Sequence, residues 1–168
     1  MDIYERMTEL GIELPPAPPP VGLFLPARQV GSLLFASGQG SFYKDHRIEG
    51  KVGADVTLED ARLGARYCML NMLASLDAHL GDLNRILRVV KLLAFVSSAP
   101  DFCRQPDVVN GASQLLIDLW GEEGRHARSA IAVNTLPSNL SVEIEAIFEL
   151  DTSRLSEKPL ERKGSVCL

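Results

Sequence analysis

A strand that is apolar on both of its faces is the feature that most constrains the fold of this chain. Side chains alternate between the two faces of a β-strand, and residues 85–97 are hydrophobic along both sets of positions. One set is Ile86, Val90, Leu92, Ala94 and Val96, and the other is Leu87, Val89, Leu93 and Phe95. A strand of this kind must be covered on both sides. It is therefore either a central strand or a strand that a partner subunit covers.

Two helices are predicted to cover one face of the sheet. The first begins after Thr57, whose hydroxyl can cap a helix, and ends at Gly81, a residue suited to the C-terminal cap. The second spans residues 100–120, and strands are predicted at 21–28, 32–37, 129–134 and 141–150. The order β-β-α-β-α-β-β predicts an α+β fold, with a mixed sheet and both helices on one face. The other face, apolar along residues 86–96, predicts an oligomer.

The remaining segments divide the chain into a domain and two extensions. Residues 1–20 form an N-terminal extension, with a short amphipathic helix over residues 1–12 and then an extended proline-rich run. We interpret the run as an arm that leads into the domain rather than a recognition motif. The domain covers residues 21–150, with a polar loop at 41–54 that contains a short ribbon around residues 47–51. Residues 151–168 are predicted to be a C-terminal tail.

Composition excludes several classes of function. The chain of 168 residues carries a net charge of −5, and no patch rich in lysine and arginine contains interleaved aromatic residues, which disfavours a nucleic-acid partner. No apolar run approaches membrane-spanning length. Three cysteines without metal-ligand spacing predict no metal and suit a reducing cytoplasm. The composition is that of a soluble cytoplasmic domain.

The strongest candidate site combines an arginine with two carboxylates. Arg128 lies at the start of one predicted strand, and Glu143 and Glu145 share one face of the next. A guanidinium can bind a carboxylate or phosphate through two parallel hydrogen bonds, and a nearby carboxylate can orient water or transfer a proton. The alternative is a salt bridge between Arg128 and one of these glutamates.

Two histidines are weaker candidates for acid–base chemistry, because histidine titrates near neutrality. His126 is close to Arg128 in sequence and could support it, whereas His79 is predicted near the end of a helix and is interpreted as structural. Neither Ser37 nor Ser129 has an evident histidine and acid partner, which disfavours a serine nucleophile.

Several motifs, taken in their order, resemble the reactive intermediate deaminase family, also called Rid, YjgF-like or endoribonuclease L-PSP. The motifs are Phe35-Ala36-Ser37-Gly38-Gln39, the strand segment at residues 90–96, Val109-Asn110-Gly111-Ala112-Ser113, Ala127-Arg128-Ser129, Leu136-Pro137 and Val142-Glu143-Ile144-Glu145. The resemblance covers roughly residues 21–150. It implies a chorismate-mutase-like fold and a homotrimer with clefts between subunits. The implied activity, without a cofactor, is hydrolysis of enamines or imines such as 2-aminoacrylate and 2-iminobutyrate to 2-oxo acids and ammonia.

The same resemblance assigns roles to individual residues. Arg128 would bind the substrate carboxylate and Glu143 would position the attacking water. Asn110 and the backbone of Gly38 and Ala130 would line the pocket.

Two positions depart from the family pattern. Phe24 stands where well-studied deaminases have a tyrosine, and Ala130 stands where they have a cysteine two residues after the arginine. The pocket thus loses a hydroxyl and a thiol. This change keeps open a second hypothesis, a non-catalytic protein that binds a small carboxylate in the same cleft. A third, endoribonuclease activity, is disfavoured by the acidic charge and by the lack of a pair of histidines suited to acid–base catalysis.

Overall fold

The structure, a computed structural model, describes residues 2–19 and 22–153. Three α-helices and seven strands follow one another along these residues. In chain order they are α1 Ile3–Glu9, β1 Ala27–Val30, β2 Leu33–Gly40, β3 Phe42–Tyr43, β4 His46–Arg47, α2 Leu58–Leu80, β5 Ile86–Ser97, α3 Gln105–Trp120, β6 Ala127–Val133 and β7 Val142–Leu150.

Five strands form one mixed sheet in the order β1-β2-β7-β5-β6. β5 and β6 are parallel, and the other neighbours are antiparallel. Helices α2 and α3 pack together on one face, and β3 and β4 form a separate hairpin. The predicted α+β fold with two long helices on one face of a mixed sheet is confirmed, and α1 is a third, shorter helix.

Within one chain, β5 is covered on one face. Leu92, Ala94 and Val96 point towards the helices and are buried. On the opposite side, Leu93 and Phe95 remain partly exposed. We define the open face of the sheet by Phe35, Leu93, Phe95, Ile131 and Ile147, of which Phe35 and Ile131 are 43% and 46% exposed. The strand is interior to the sheet, and cover for its second face by a partner subunit stays a prediction.

Helix α2 has the ends that the sequence predicts. The Thr57 side chain accepts a hydrogen bond from the backbone N–H of Asp60, which satisfies a donor that has no partner inside the helix. Gly81 closes the helix in the left-handed conformation, with φ of 74°. Cys68, on the apolar stripe of this helix, is fully buried.

Several predicted boundaries are wrong. β2 continues to Gly40 rather than ending at 37, and β6 begins at Ala127 rather than 129. The first strand begins at Ala27 rather than 21, because the backbone bends at residues 22–24 and 26 and Pro26 cannot donate to a strand ladder. The second helix begins at Gln105 rather than 100, since residues 99–102 form a turn in which the Phe102 N–H donates to the Ala99 carbonyl. The ribbon expected around residues 47–51 is instead the hairpin of β3 and β4, which turns at Lys44 with φ of 53°.

The N-terminal segment is packed onto the domain. Ile3 and Met7 of α1 are buried in the same hydrophobic core as the sheet and the long helices. Further along, Glu13 ties the arm to the hairpin: its carbonyl accepts from the Tyr43 hydroxyl, and its carboxylate pairs with Lys44 at 3.1 Å. The predicted tail lies outside the described residues from 154 onwards. No helix among residues 2–19 and 22–153 is long and apolar enough to cross a membrane.

Candidate functional site

Glu143 and Gly38 form one half of the candidate site. Glu143 lies at the start of β7, next to Phe95 of β5 and Gly40 of β2. The pairing between β2 and β7 shifts between Ala36 and Gln39, and Gly38 lies in this irregular stretch. A Cβ atom at Gly38 would overlap the Glu143 carboxylate. Glycine is therefore required so that the carboxylate can lie against the backbone.

A cavity of about 410 Å³ opens in front of this carboxylate. Its wall is largely apolar. Phe24, Phe42 and the arm residues Pro18 and Pro19 line it, and so does Arg47. Three of the residues predicted from sequence, Phe24, Gly38 and Glu143, are thus brought together. The arm prolines and Arg47 were not predicted as site residues, because nothing in the local pattern places them beside β7.

Burial raises the pKa of Glu143, and the nearby Glu145 carboxylate raises it further. Both effects destabilise the ionised form, burial through loss of hydration and Glu145 through repulsion between like charges. The two glutamates lie on the same face of β7, as the sequence predicts. A carboxyl group with a raised pKa in a cavity is suited to hold water and to exchange a proton with it.

Arg128 and Asn110 form the other half of the candidate site. Arg128 is on the edge strand β6, and its guanidinium reaches α3. There Nη1 donates to Asn110 Oδ1 and to Ser113 Oγ, both at 2.9 Å, and Nη2 donates to the Pro106 carbonyl at 3.2 Å. Of the five guanidinium N–H groups, two have no hydrogen-bond partner within the described part of the chain. Two parallel donors are what a carboxylate requires.

Ser113 links Arg128 to His126. His126 Nδ1 is 2.7 Å from the Gly124 carbonyl, and its Nε2 is 3.0 Å from Ser113 Oγ. A carbonyl only accepts, so Nδ1 carries the proton and Nε2 accepts the hydrogen of the Ser113 hydroxyl. Burial lowers the pKa of His126, and the Arg128 cation lowers it further, against the opposing effect of the bond to Gly124. His126 is therefore a neutral acceptor that supports Arg128 through Ser113.

Sequence reasoning did not identify Ser113 as part of the site. Its spacing of three residues from Asn110 places both side chains on one face of α3, and this periodicity was the available signal. Ala130 lies two residues after Arg128 on β6 and packs against the hydrophobic core. It does not line the Glu143 cavity. His79 is in the last turn of α2, where a cation is favoured.

The two halves lie on opposite faces of the sheet. Arg128 is paired with Leu92, which is buried under the helices, whereas Glu143 is paired with Phe95, three residues further along β5. Paired residues project to the same side of a sheet, and residues an odd number apart project to opposite sides. A salt bridge between Arg128 and Glu143 or Glu145 does not form in the described structure. Within one chain the two groups therefore project to opposite sides of the sheet.

Over residues 4–150 the chain matches the protein family described as "YjgF/chorismate mutase-like, putative endoribonuclease". Protein TCP17 from Trypanosoma cruzi is 41% identical over 153 residues, which cover 89% of this chain and 94% of that protein. The crystal structure of protein Atu1372 of unknown function, from Agrobacterium tumefaciens, shares 44% identity with a TM-score of 0.81, over 89% of this chain and 92% of that one. The crystal structure of RidA from the Antarctic bacterium Psychrobacter sp. PAMC 21119 shares 29% identity with a TM-score of 0.55, over 80% of this chain and 94% of that one.

Proposed function

Because the chain belongs to the YjgF/chorismate mutase-like family, we propose that it hydrolyses small imines or enamines to 2-oxo acids and ammonia. The substrates are of the 2-iminobutyrate or 2-aminoacrylate kind. The observation that carries the proposal is the guanidinium of Arg128, which three acceptors hold in place with two donors left for a carboxylate. Similarity to a structure named RidA supports the same class of reaction.

The proposed mechanism uses two groups of the protein and one water molecule. Arg128 binds the substrate carboxylate and so fixes the adjacent C=N carbon. Ionised Glu143 accepts a proton from water as the water oxygen bonds to that carbon, and the substrate nitrogen becomes an amine. The substrate enters as its protonated iminium form, so this first step gives a neutral amine. Glu143 then returns the proton to nitrogen, and the C–N bond breaks as the hydroxyl oxygen forms the carbonyl. Glu143 takes up the hydroxyl proton in this step and passes it to the departing ammonia. An enamine enters this sequence after tautomerising to the imine. The net change adds one water and releases one ammonia.

We propose further that the site is completed between subunits of a homotrimer. The reason is the placement of Arg128 and Glu143 on opposite faces of the sheet, which prevents them from meeting in one chain. The exposed apolar side chains of the open face favour association, since their burial is stabilising by about 25 cal/mol per Å². In a ring of identical subunits, the Arg128 edge of one copy would meet the Glu143 cavity of the next.

A deaminase assay with 2-iminobutyrate tests the reaction. Arg128→Ala is expected to reduce kcat/KM by at least about 100-fold, because a charge-assisted pair of hydrogen bonds to the substrate is lost. Arg125→Ala is the matched control. It removes the same charge three residues earlier, from an exposed side chain paired with Glu122, and should leave activity unchanged. Equal turnover by Arg128→Ala and the wild type would exclude the assignment.

Mixing two inactive variants tests the shared site. Arg128→Ala and Glu143→Gln, each inactive alone, are unfolded together and refolded as mixed oligomers. If each site takes Arg128 from one copy and Glu143 from its neighbour, random assembly restores about one quarter of the wild-type activity. No recovery from properly assembled mixtures would mean that no site combines Arg128 of one copy with Glu143 of its neighbour, and would overturn the shared site.

Non-catalytic binding of a small carboxylate is the second candidate, and Phe24 is the observation that favours it. The side chain is 47% exposed and faces the Glu143 cavity with no hydroxyl to offer. This candidate predicts that 2-oxobutyrate binds in calorimetry, that Arg128→Ala abolishes the binding, and that no imine is hydrolysed. RNA cleavage that depends on Arg128 would instead support a nuclease.

A further inference from the structure

We propose that Ser113 and His126 are positioning residues that hold the Arg128 guanidinium ready for a carboxylate. The inference rests on the proposed function of Arg128 as the carboxylate-binding group. It adds Ser113, to which sequence and family resemblance gave no role in the site, and it gives a specific role to His126, which the sequence named only as a residue that could support Arg128.

Arg128 has a long side chain on an edge strand, and such a side chain is mobile unless other groups hold it. Fixing an arginine side chain costs rotamer entropy. A guanidinium that is already fixed does not incur this cost when the ligand binds. Asn110 and the Pro106 carbonyl supply two fixed acceptors from α3, and Ser113 Oγ is the third.

A serine hydroxyl alone is a poor anchor, because its hydrogen rotates and its oxygen can donate as well as accept. His126 removes this freedom. Its unprotonated Nε2, 3.0 Å from Ser113 Oγ, takes the hydroxyl hydrogen and leaves the oxygen lone pairs towards Arg128. The same hydrogen bond polarises the hydroxyl and strengthens its acceptor end.

The chain of hydrogen bonds begins at a rigid point of the fold. Gly124, whose carbonyl accepts from His126 Nδ1, ends the 3₁₀ turn Gly121–Gly124 that follows α3. A Cβ atom there would overlap the backbone of Leu116, so the turn lies directly against α3. Each group therefore orients the next one. The Gly124 carbonyl orients the His126 ring, which orients the Ser113 hydroxyl. The Ser113 oxygen in turn holds the Arg128 guanidinium. Close packing of the turn fixes the imidazole, and the imidazole fixes the hydroxyl.

A double-mutant cycle tests whether the two residues act in series. Binding of 2-oxobutyrate is measured by calorimetry, and the KM and kcat of any imine hydrolysis are measured beside it. Ser113→Ala and His126→Leu are each expected to weaken binding about tenfold and to raise KM equally, with kcat within twofold, because a carboxylate clamp acts in the ground state and the transition state alike. The double variant should show the same tenfold loss. A hundredfold loss would mean that the residues act independently and would overturn the proposal.

A conservative replacement and a matched control separate positioning from folding. His126→Gln keeps an oxygen acceptor near the place of Nε2 and should retain affinity within threefold of the wild type. His79→Leu removes an exposed histidine at the end of α2 and should change nothing. If His126→Gln is as weak as His126→Leu, or if Ser113→Ala binds like the wild type, the proposal is wrong. If the wild type binds 2-oxobutyrate but hydrolyses no imine, only the proposed deamination is refuted. If the wild type does not bind 2-oxobutyrate, the positioning role is overturned.

Discussion

At position 38 the backbone of β2 passes so close to the Glu143 carboxylate that no side chain fits between them. Gly38→Ala is expected to push the carboxylate out of place by about 1 Å, and misplacement on this scale costs about 100-fold in rate. Imine turnover and thermal unfolding are the two measurements. The fold should persist, because the added methyl group faces a cavity rather than the core.

Gly31→Ala is the control for that substitution. Gly31 has a left-handed backbone with φ of 61° and open space around its missing Cβ. Alanine there should cost about 1 kcal/mol of stability and leave turnover unchanged. If both variants lose activity in proportion to stability, the contact between Gly38 and Glu143 has no functional role.

The raised pKa of Glu143 predicts the pH dependence of the reaction. The ionised carboxylate is the form that accepts a proton from water, so kcat/KM should fall as the pH drops through this raised pKa, above the value of about 4.3 for a free glutamate. Glu145→Gln removes one cause of the shift and leaves burial, the larger one. The acidic limb of the profile should therefore move to lower pH without reaching the free value.

Glu149→Gln on the same strand is the matched control, since Glu149 pairs with Arg88 and is not a cause of the shift. Its profile should overlay that of the wild type. An acidic limb that is identical in all three proteins would show that it belongs to another group.

At the scale of elements, the contact between α2 and α3 explains why α3 contains a glycine, although glycine disfavours helix formation. Asn110-Gly111 lies inside α3, where glycine lowers the helix propensity. The structure shows that Asn110 binds Arg128, and that a Cβ atom at Gly111 would overlap the backbone of Arg62 in α2. Glycine therefore allows the two helices to approach closely, and this approach places Asn110 beside the edge strand.

Gly111→Ala is expected to destabilise the protein, although alanine is the better helix former. The gain in helix propensity is about 1 kcal/mol, and overpacking at a backbone contact costs more, for a net loss of about 1–2 kcal/mol. Urea unfolding measures the change. Gln114→Ala, on the exposed side of the same helix, should stay within about 0.5 kcal/mol of the wild type. A more stable Gly111→Ala variant would show that the helices can separate without cost.

At the scale of the whole molecule, the open face of the sheet is the surface most suited to association. Ile131 lies on the edge strand β6, opposite Phe95 and on the same side of the sheet as Glu143. Ile131→Asp should convert the expected trimer into monomers, because a carboxylate buried in an apolar interface is costly to desolvate. Sedimentation velocity gives the mass, and imine turnover should be lost with the assembly.

Leu63→Asp is the control for this substitution. Leu63 is 40% exposed on α2, on the helical side of the molecule. The aspartate there should leave the mass unchanged. A trimeric and active Ile131→Asp variant would require a different interface.

The sequence by itself determined the elements and the chemical identity of the candidate groups. Helix α2 was predictable because its caps are local, with a hydroxyl at Thr57 and a left-handed glycine at Gly81. The sharing of one face by Glu143 and Glu145 was predictable because strand alternation depends only on spacing. Pattern alone failed where tertiary contacts fixed a boundary, as at the start of β1 after Pro26.

Only the tertiary structure decided how these groups are placed relative to one another. Strand pairing put Arg128 on the helical side and Glu143 on the open side, and no local pattern encodes which neighbour a strand will have. Contacts of α3 and the turn before β6 brought Ser113 and His126 to Arg128, through side-chain directions that depend on helix packing. Residues far apart in the chain meet only when the core has formed. For this reason the sequence indicated the chemical groups of the candidate site, and the fold placed them on opposite faces of the sheet.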